Sequence, residues 1–320
     1  MTTKLILDLD TGIDDALALA YALAAPEVEL IGVTCTYGNV VVEQSVRNTL
    51  AILELFGRTD VPVFEGPGHA RAKDSFEVQE ISAFIHGQNG IGEVEIPDAA
   101  RQVEQTSAVD FLVDSVHKYG DELVIVPTGP STTIAAAIEA SNVFRDGAQI
   151  VMMGGALTVP GNVTAWSEAN IHQDPEATDL MFRSLRNVTM IGLDVTLQTL
   201  LTTAETTKWA ELGTAGGAFL ADITNYYIDA YKTTSPHLGG CGLHDPLAVA
   251  AAINPGLVDT LGVNMKVDTE GETRGRTIGD EARLNDPDKH AAVAVRVDTT
   301  GFLLEFMHRL SVLAQATPVV

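Results

Sequence analysis

Cysteine and basic residues are both scarce in this chain. The two cysteines of the 320-residue sequence, Cys35 and Cys241, are too few and too far apart for a disulfide framework or a cysteine-based metal site. Lysine and arginine number 19 against 43 acidic residues, which gives a formal net charge of −24. This surplus argues against nucleic acid and anionic membranes as partners and favours a neutral small molecule as ligand. Most of the charge is expected to form a solvated acidic surface.

Long apolar runs and targeting signals are lacking as well. No apolar run is long enough to cross a bilayer, and the first four residues lead into a predicted strand without a secretory signal. Hydrophobic residues still make up 46% of the sequence, which is enough for a sizeable core. We therefore expect a soluble, cytoplasmic, globular protein.

Predicted strands and helices alternate along almost the whole sequence. The strands are expected at residues 4–7, 28–35, 61–64, 122–126, 149–153, 187–193, 257–267 and 291–297. This alternation predicts an α/β fold with a mainly parallel central sheet flanked by helices on both faces. Because no linker or repeat divides the chain, we expect a single domain over residues 1–320. Residues 69–97 are expected to be an irregular insertion, and residues 269–288 a hairpin or excursion.

The loop after the first strand carries four carboxylates. Asp8, Asp10, Asp14 and Asp15 fall within eight positions, at the strand end where ligands bind in α/β proteins. Like charges crowded there repel one another, so a bound cation is the simplest compensation. Oxygen ligands suit a hard ion such as Ca²⁺ or Mg²⁺ rather than zinc.

The sequence of this loop also allows other interpretations. One of its carboxylates is expected only to cap the following helix. An EF-hand is excluded, because Gly12 falls at position five counted from Asp8 and position twelve is Leu19 rather than Glu. A phosphatase of the haloacid dehalogenase type uses strand-Asp-x-Asp-x-Thr with Mg²⁺. The stretch Asp8-Leu-Asp10-Thr11 fits that pattern in part, so the phosphatase is the alternative hypothesis.

Further polar groups follow other predicted strands. They are Thr128 in a Gly-Pro turn, a loop with Asn162, Glu168 and Asn170, and the pair His244-Asp245. Amides and carboxylates together both donate to and accept from sugar hydroxyls, so this set suits a sugar. Taken singly, each also fits an ordinary strand-end turn, Asx turn or helix cap.

Together these pieces resemble the inosine-uridine-preferring nucleoside hydrolase family. The matching segments occur in family order over residues 8–246, about three quarters of the chain. They are Asp8-x-Asp10-x-Gly12-x-Asp14-Asp15-Ala16, Thr36-Tyr-Gly38-Asn39, His86-Gly-Gln-Asn-Gly-Ile-Gly92, Pro127-Thr-Gly-Pro130, Gly154-Gly-Ala156, Gly161-Asn162 with Glu168-Ala-Asn170, Asp174-Pro-Glu-Ala177 and His244-Asp-Pro246. A single tetrapeptide is weak evidence, but eight segments in register are highly specific.

The resemblance implies hydrolysis of ribonucleosides to free base and ribose, with Ca²⁺ as cofactor. It implies a cation held by Asp10, Asp15, Asp245 and the backbone carbonyl of Thr128, with ribose hydroxyls and a water completing the coordination. The implied ribose contacts are Asp14 and Asn170 for the 2′-hydroxyl, Asp245 and Thr128 for the 3′-hydroxyl, and Asn162 and Glu168 for the 5′-hydroxyl. It further implies that the protein is a homodimer or homotetramer.

Four more residues are given roles by the resemblance. Asn39 would orient the acidic loop, and His86 would lie on a mobile flap. Tyr227 and Tyr231 would stand near the base, although their i, i+4 spacing fits core aromatics equally well. Ala169 stands where the family commonly has an aromatic, which leaves the base preference open.

The chemistry of the reaction suggests the catalytic roles. An N-glycosidic bond breaks through an oxocarbenium-like state, whose positive charge nearby carboxylates stabilise. Asp10 is the expected general base for a cation-activated water. His244 is the expected acid for the departing base, because an imidazole titrates near neutrality. A catalytically silent nucleoside-binding protein is a second alternative, which the retention of Asp10 and His244 argues against.

Overall fold

The computed structural model describes residues 2–319, so the two ends of the predicted domain, residues 1 and 320, lie outside the described residues. The strands are β1 (Thr3–Leu9), β2 (Val28–Cys35), β3 (Val63–Glu65), β4 (Leu123–Pro127), β5 (Gln149–Met153), β6 (Asn187–Ile191), β7 (Leu200–Leu201), β8 (Cys241–Gly242), β9 (Val258–Gly262), β10 (Met265–Val267), β11 (Thr277–Gly279) and β12 (Ala291–Val297). The α-helices are α1 (Ile13–Ala24), α2 (Val42–Leu55), α3 (Glu80–His86), α4 (Ala108–Tyr119), α5 (Thr132–Ala140), α6 (Asn142–Gly147), α7 (Ala169–Gln173), α8 (Pro175–Ser184), α9 (Leu193–Thr196), α10 (Thr203–Ala210), α11 (Ala215–Thr234), α12 (His244–Ile253) and α13 (Thr299–Gln315).

Within residues 2–319, eight strands form a central sheet in the order β3-β2-β1-β4-β5-β6-β12-β9. Neighbouring strands pair in parallel except at one edge, where β9 runs antiparallel to β12. Two short antiparallel pairs, β10-β11 and β7-β8, lie outside this sheet. The predicted α/β class with a mainly parallel central sheet is confirmed.

Strand β1 shows why the sheet is covered on both faces. Leu5, Leu7 and Leu9 point into one hydrophobic cluster with α1, α12 and α13, whereas Ile6 points into another with α4, α5 and α8. A strand buried on both sides needs apolar residues at every position, and this accounts for the continuous apolar run in the sequence. The order of the strands then brings the carboxyl ends of β1, β4 and β5 side by side.

The turn from β1 into α1 fixes the acidic loop. The Gly12 amide donates to Asp15 Oδ2 at 2.9 Å, which satisfies one of the free N–H groups at the start of the helix. The helix ends at Ala24, just before Pro26, because proline cannot continue the hydrogen-bond ladder. Asp14 and Asp15 therefore lie in the first turn of a buried helix rather than on a flexible loop.

Two local predictions differ from the structure. Residues 257–267, predicted as one strand, form β9 and β10 with a break between them. The break holds buried Asn264, whose amide donates to the carbonyls of Arg283 and Asp288 at 3.2 and 2.9 Å. The insertion at 69–97, expected to be irregular, contains helix α3. Residues 269–288, expected to be a hairpin or excursion, contain β11, which pairs antiparallel with β10 in a hairpin that begins before the expected range.

Among residues 2–319, no helix combines the length and the apolar character that crossing a membrane requires.

Candidate active site

Most of the residues singled out from the sequence converge at the carboxyl ends of the central strands. Asp10 follows β1, Thr128 follows β4, and His244 and Asp245 begin α12. They are buried together with Asp14, Asp15, His86, Glu168, Asn170, Tyr227 and Tyr231. Asn39 is half-buried and Asn162 is exposed. Parallel strands place their carboxyl ends at one edge, and this is why segments distant in sequence meet here.

A buried carboxylate cluster forms the floor of the site. Asp14, Asp15 and Asp245 each bring one oxygen to within 4.8 Å of the others. Burial, followed by the negative charge of Asp15, raises the pKa of Asp14 to about 8. Burial and the neighbouring carboxylates likewise raise the pKa of Asp10 and of Asp245 well above the ordinary value of 3.8. A positive charge among them would offset both effects.

Three carboxylate oxygens of the acidic segment, on Asp8, Asp10 and Asp14, lack a hydrogen-bond partner. Asp10 Oδ1 and Asp14 Oδ1 are fully buried and unpaired, whereas Asp10 Oδ2 accepts from the backbone N–H of Asn39 at 2.7 Å. Buried oxygens are rarely left without a partner, so each unpaired one calls for an explanation. A hard divalent cation binds carboxylate and carbonyl oxygens, and the candidate ligand atoms here are all of these two kinds. The residues present therefore fit a metal ion.

The second layer of contacts holds these carboxylates in place. The Asn39 side-chain amide donates to Asp15 Oδ2 at 3.1 Å, and the Thr128 hydroxyl donates to Asp15 Oδ1 at 2.7 Å. The Thr128 carbonyl accepts from the Asn170 amide at 2.6 Å. A carbonyl oxygen has two lone pairs, so this contact leaves one for a further partner.

The loop before α8 brings amides and a carboxylate to the same edge. Glu168 caps α7 by accepting from the backbone N–H of Asn170 at 3.0 Å, and it also accepts from the Gly155 N–H at 3.0 Å. Burial raises the pKa of Glu168. Exposed Asn162 lies above it, with its side-chain oxygen accepting from the Ala169 N–H at 3.0 Å. The set expected to bind a sugar is thus present, and Glu168 has a capping role in addition.

Tyrosine and histidine side chains form the opposite wall. The Tyr227 hydroxyl donates to Asp14 Oδ2 at 3.3 Å and lies 3.5 Å from the Tyr231 hydroxyl. Tyr231 in turn lies 2.7 Å from His244 Nε2. The i, i+4 spacing on α11 therefore directs both hydroxyls toward the carboxylates. Burial lowers the pKa of His244 to about 4, so its imidazole is neutral at pH 7.

His86 ends helix α3 against the same wall. Its Nδ1 accepts from the Ile13 N–H at 3.1 Å and lies 3.8 Å from Asp14 Oδ1. Its ring centre is 5.4 Å from that of Tyr227. Burial lowers the pKa of His86 to about 3, with a smaller contribution from His244. The insertion thus contributes a side chain to the site.

Two residues of this region were missed from the sequence. Gly38 packs so closely on Asp10 that a Cβ atom there would lie 2.0 Å from Asp10 Oδ2. Thr196 lies with its hydroxyl 2.7 Å from His244 Nδ1. Gly38 stands within a segment that carried the family resemblance. Thr196 follows β6 at the same edge of the sheet. Its position after a predicted strand is the only sequence feature that could have singled it out.

An α/β sheet with a buried carboxylate cluster at its carboxyl edge, able to hold a metal ion, is typical of a metal-dependent enzyme. The family model for "Inosine-uridine preferring nucleoside hydrolase" matches residues 5–303. The chain belongs to this family, which hydrolyses ribonucleosides to base and ribose and is metal-dependent. Membership excludes the phosphatase alternative, and it favours an enzyme over the silent binding protein.

Individual relatives agree over nearly the full length. A probable uridine nucleosidase 2 from Arabidopsis thaliana is 36% identical, with 96% of this chain and 97% of the relative covered. A pyrimidine-specific ribonucleoside hydrolase, RihA, from Escherichia fergusonii is 32% identical, with 97% and 99% covered. A solved structure of a purine-preferring ribonucleoside hydrolase from Gardnerella vaginalis is 65% identical, with a TM-score of 0.96 and 98% and 99% covered.

Proposed function

We propose that the enzyme uses Ca²⁺, held by Asp10, Asp15, Asp245 and the Thr128 carbonyl, to hydrolyse ribonucleosides. The observation that supports this proposal is the buried cluster of Asp14, Asp15 and Asp245, together with the unpaired oxygens of Asp14 and of Asp10, which precedes Asp14 in the same loop. Flexible coordination by carboxylates and a backbone carbonyl is typical of Ca²⁺, whereas Mg²⁺ usually keeps several waters. When bound, such a cation neutralises the clustered charge and makes a nearby water more acidic.

Asp10 is the general base of the proposed reaction. One of its oxygens is held by the Asn39 N–H, while Oδ1 is free of hydrogen bonds and can take a proton from the attacking water. The surrounding carboxylates of Asp14 and Asp245 also stabilise positive charge that develops on the ribose. Loss of Asp10 should therefore abolish turnover.

The proposed ribose contacts are based on the hydrogen-bonding side chains that follow the carboxyl ends of the strands. We assign the 2′-hydroxyl to Asp14 and Asn170, the 3′-hydroxyl to Asp245 and Thr128, and the 5′-hydroxyl to Asn162 and Glu168. The acceptors among them are carboxylates and the Thr128 oxygen atoms, since the hydroxyl hydrogen of Thr128 goes to Asp15, and the donors are the side-chain amides of Asn162 and Asn170. The Asn170 amide, now 2.6 Å from the Thr128 carbonyl, would have to divide its two hydrogens between that carbonyl and the sugar.

The proton for the departing base comes from the histidine–tyrosine wall. His244 Nε2 faces the Tyr231 hydroxyl at 2.7 Å, so the proton of His244 leaves by way of Tyr231 rather than directly. The imidazole, which is neutral at pH 7, must first take up a proton and then give it up as an imidazolium, because losing the only N–H of a neutral ring would leave an imidazolate. His86 and Tyr227 lie beside this path, where an aromatic base can pack on their rings.

We propose the base preference from a relative and the assembly from exposed apolar residues on the surface, and the location follows the prediction from the sequence. The solved relative at 65% identity is named purine-preferring, so we propose purine nucleosides as the better substrates. We propose a homodimer or homotetramer, in which exposed Leu304 and Val312 on α13 become covered. A cytoplasmic location stays a prediction.

Ribose release from inosine, adenosine, uridine and cytidine tests the proposal. The enzyme would be stripped with a chelator and then assayed alone, with Ca²⁺ and with Mg²⁺ at equal free concentration. We expect activity to disappear on stripping, to return with Ca²⁺ more fully than with Mg²⁺, and to be higher on inosine than on uridine. Unchanged activity in the stripped enzyme, with no residual metal by elemental analysis, would refute the metal assignment. Sedimentation of the same samples measures the assembly.

A further inference from the structure

A buried asparagine joins the acidic loop to the His86 segment, residues 86–92. Asn48, on α2, is fully buried, and its side-chain nitrogen donates to the Thr11 carbonyl at 3.2 Å and to the Asn89 carbonyl at 2.8 Å. Thr11 follows Asp10 in the acidic loop, whereas Asn89 lies three residues after His86. One amide therefore spans the two segments that bring Asp10 and His86 to the site.

The directions of both hydrogen bonds are fixed by the chemistry of the groups. A backbone carbonyl only accepts, so the nitrogen of the Asn48 amide, and not its oxygen, must face Thr11 and Asn89. The amide oxygen accepts from the Gln44 side-chain nitrogen at 2.8 Å and lies 3.5 Å from the Arg47 guanidinium. A guanidinium only donates, which agrees with this orientation. Both hydrogens of the amide are thus used in joining the two segments.

Helix α2 presents this amide on a polar face. Ser45, Asn48 and Thr49 are spaced i, i+3 and i+4, so they lie on one side of the helix. The Ser45 hydroxyl donates to the Leu9 carbonyl at 3.0 Å, and the Thr49 hydroxyl lies 2.7 Å from the Thr11 hydroxyl. These two contacts support the acidic loop from below. Of the three side chains, Asn48 is the one whose hydrogen bonds also reach the His86 segment.

The two segments are packed against each other as well as bonded. Gly90 lies so close to the amide that a Cβ atom there would lie 3.1 Å from both the Asn48 side-chain nitrogen and the Thr11 carbonyl oxygen. The segment is also closed on itself, because the Gly92 N–H donates to the His86 carbonyl at 2.8 Å. A displacement at Gly90 would therefore be passed on to His86.

We propose that Asn48 is a positioning residue that fixes the His86 segment to the acidic loop and so holds the His86 ring in the site. That ring lies with its centre 5.4 Å from the centre of the Tyr227 ring, a distance that depends on where the segment sits. Without the amide, two carbonyls lose their buried partner and the segment can open. Only molecules with a closed segment present the ring to the base, so the apparent affinity falls with the closed fraction. The effect on base binding rests on the proposed role of His86, whereas the connection between the segments does not.

Hydrogen exchange tests the connection directly. In the full-length, Ca²⁺-loaded wild type, we expect the backbone N–H groups of residues 90–92 to exchange more slowly than those of residues 75–79, which belong to no helix or strand. In Asn48→Leu, which keeps the side-chain size but removes both donors, exchange at residues 90–92 should become about 10-fold faster. Gln44→Leu is the matched control and should exchange like the wild type, because it removes only a bond to the amide oxygen. Equally fast exchange of the two stretches in the wild type, or an unchanged rate in Asn48→Leu, would overturn the proposal.

Kinetics test whether the connection serves the base site. For Asn48→Leu we expect KM for inosine to rise about 10-fold, the loss expected from one or two hydrogen bonds, while kcat changes by less than about threefold. Competitive inhibition by free ribose should be unchanged, because ribose has no base and its proposed contacts lie elsewhere. Ca²⁺ affinity should also be unchanged, because Asp10 and Asp15 keep their hydrogen bonds from Asn39. Equal weakening of inosine, ribose and Ca²⁺ would show that Asn48 is only structural.

A double variant shows whether Asn48 acts through His86. In a His86→Ala background, Asn48→Leu should raise KM by less than about twofold, because the segment then carries no ring to position. The same rise in both backgrounds would mean that the positioning role is wrong. Gly90→Ala, which places a methyl group against the amide, should reproduce the rise in KM with Asn48 intact. If His86→Ala alone leaves KM unchanged, the proposed contact of His86 with the base is wrong, and hydrogen exchange then decides whether Asn48 holds the segment.

Discussion

Replacing Gly38 by alanine should disable the enzyme by pushing Asp10 out of place. A Cβ atom at Gly38 would lie 2.0 Å from Asp10 Oδ2 and 2.8 Å from its Cγ, whereas ordinary contact begins at 3.4 Å. The carboxylate cannot retreat freely, because Gly129 packs on its other side, where a Cβ atom would lie 3.1 Å from Asp10 Cγ. Asp10 must therefore shift by about 1 Å or lose its bond from the Asn39 amide. Misplacement of a reacting group by that distance costs about 10²-fold.

The assay is kcat on inosine at saturating Ca²⁺, with Ca²⁺ affinity measured by calorimetry. We expect kcat to fall by about 10²-fold or more and Ca²⁺ binding to weaken, because Asp10 serves as both base and proposed ligand. Gly57→Ala is the matched control. Gly57 also has a positive φ, +69°, but a Cβ atom there meets nothing within 4 Å. Both variants place alanine at positive φ, +156° at Gly38 and +69° at Gly57, which costs about 1–3 kcal/mol of stability, but Gly57→Ala should keep its activity.

A folded Gly38→Ala enzyme with nearly normal kcat and Ca²⁺ affinity would show that the added Cβ atom does not displace Asp10. Equal loss of activity in Gly57→Ala would also count against this explanation, because the cause would then be backbone strain and not the displacement of Asp10. Thermal unfolding of both variants separates loss of fold from loss of site.

Three further predictions concern the acid, pH and the core. His244→Ala should lower kcat on inosine by about 10²–10⁴-fold yet spare p-nitrophenyl riboside; equal losses would contradict the acid role. Burial alone would raise the pKa of Asp280, but the hydrogen bonds from Arg283 and the Ala282 N–H and the positive charges of Arg183 and Arg283 together outweigh it, and the pKa lies below the ordinary 3.8. Asp280→Asn should therefore lower the unfolding free energy in urea at pH 7, and its deficit should shrink as the pH falls below 3.8; a pH-independent deficit would refute this. Leu7→Ala, at a fully buried position of β1, should cost about 2–5 kcal/mol in the same assay, whereas Leu304→Ala, at a site 70% exposed, should cost under about 0.5 kcal/mol.

The fold class was within reach of the sequence because it depends on local patterns. Alternating apolar stretches and turn residues dictate which segments become strands and helices, and short crossovers favour parallel pairing. The break between β9 and β10 was missed for the same reason. Its cause is the buried Asn264 side chain, whose partners, Arg283 and Asp288, lie about twenty residues further along. No window of local sequence carries such a contact.

The site was predictable wherever its chemistry is concentrated in a short segment. The four carboxylates at the junction of β1 and α1 predict a cation by their mutual repulsion alone, and the order of the motifs identifies the family. The spacing of Tyr227 and Tyr231 shows only that they share a face of α11. It cannot show that this face turns toward Asp14, because that depends on how α11 packs beside α1.

The sequence by itself determined most of the strand and helix pattern, the acidic loop and the family, because each is encoded by short segments that follow one another along the chain. The tertiary structure alone decided which side chains touch across long separations. Thr196 lies 48 positions from His244, and Gly38 lies 28 positions from Asp10, yet each is in direct contact with its partner. Such contacts arise when crossing connections return distant strand ends to one edge of the sheet, and close packing then leaves room for one arrangement.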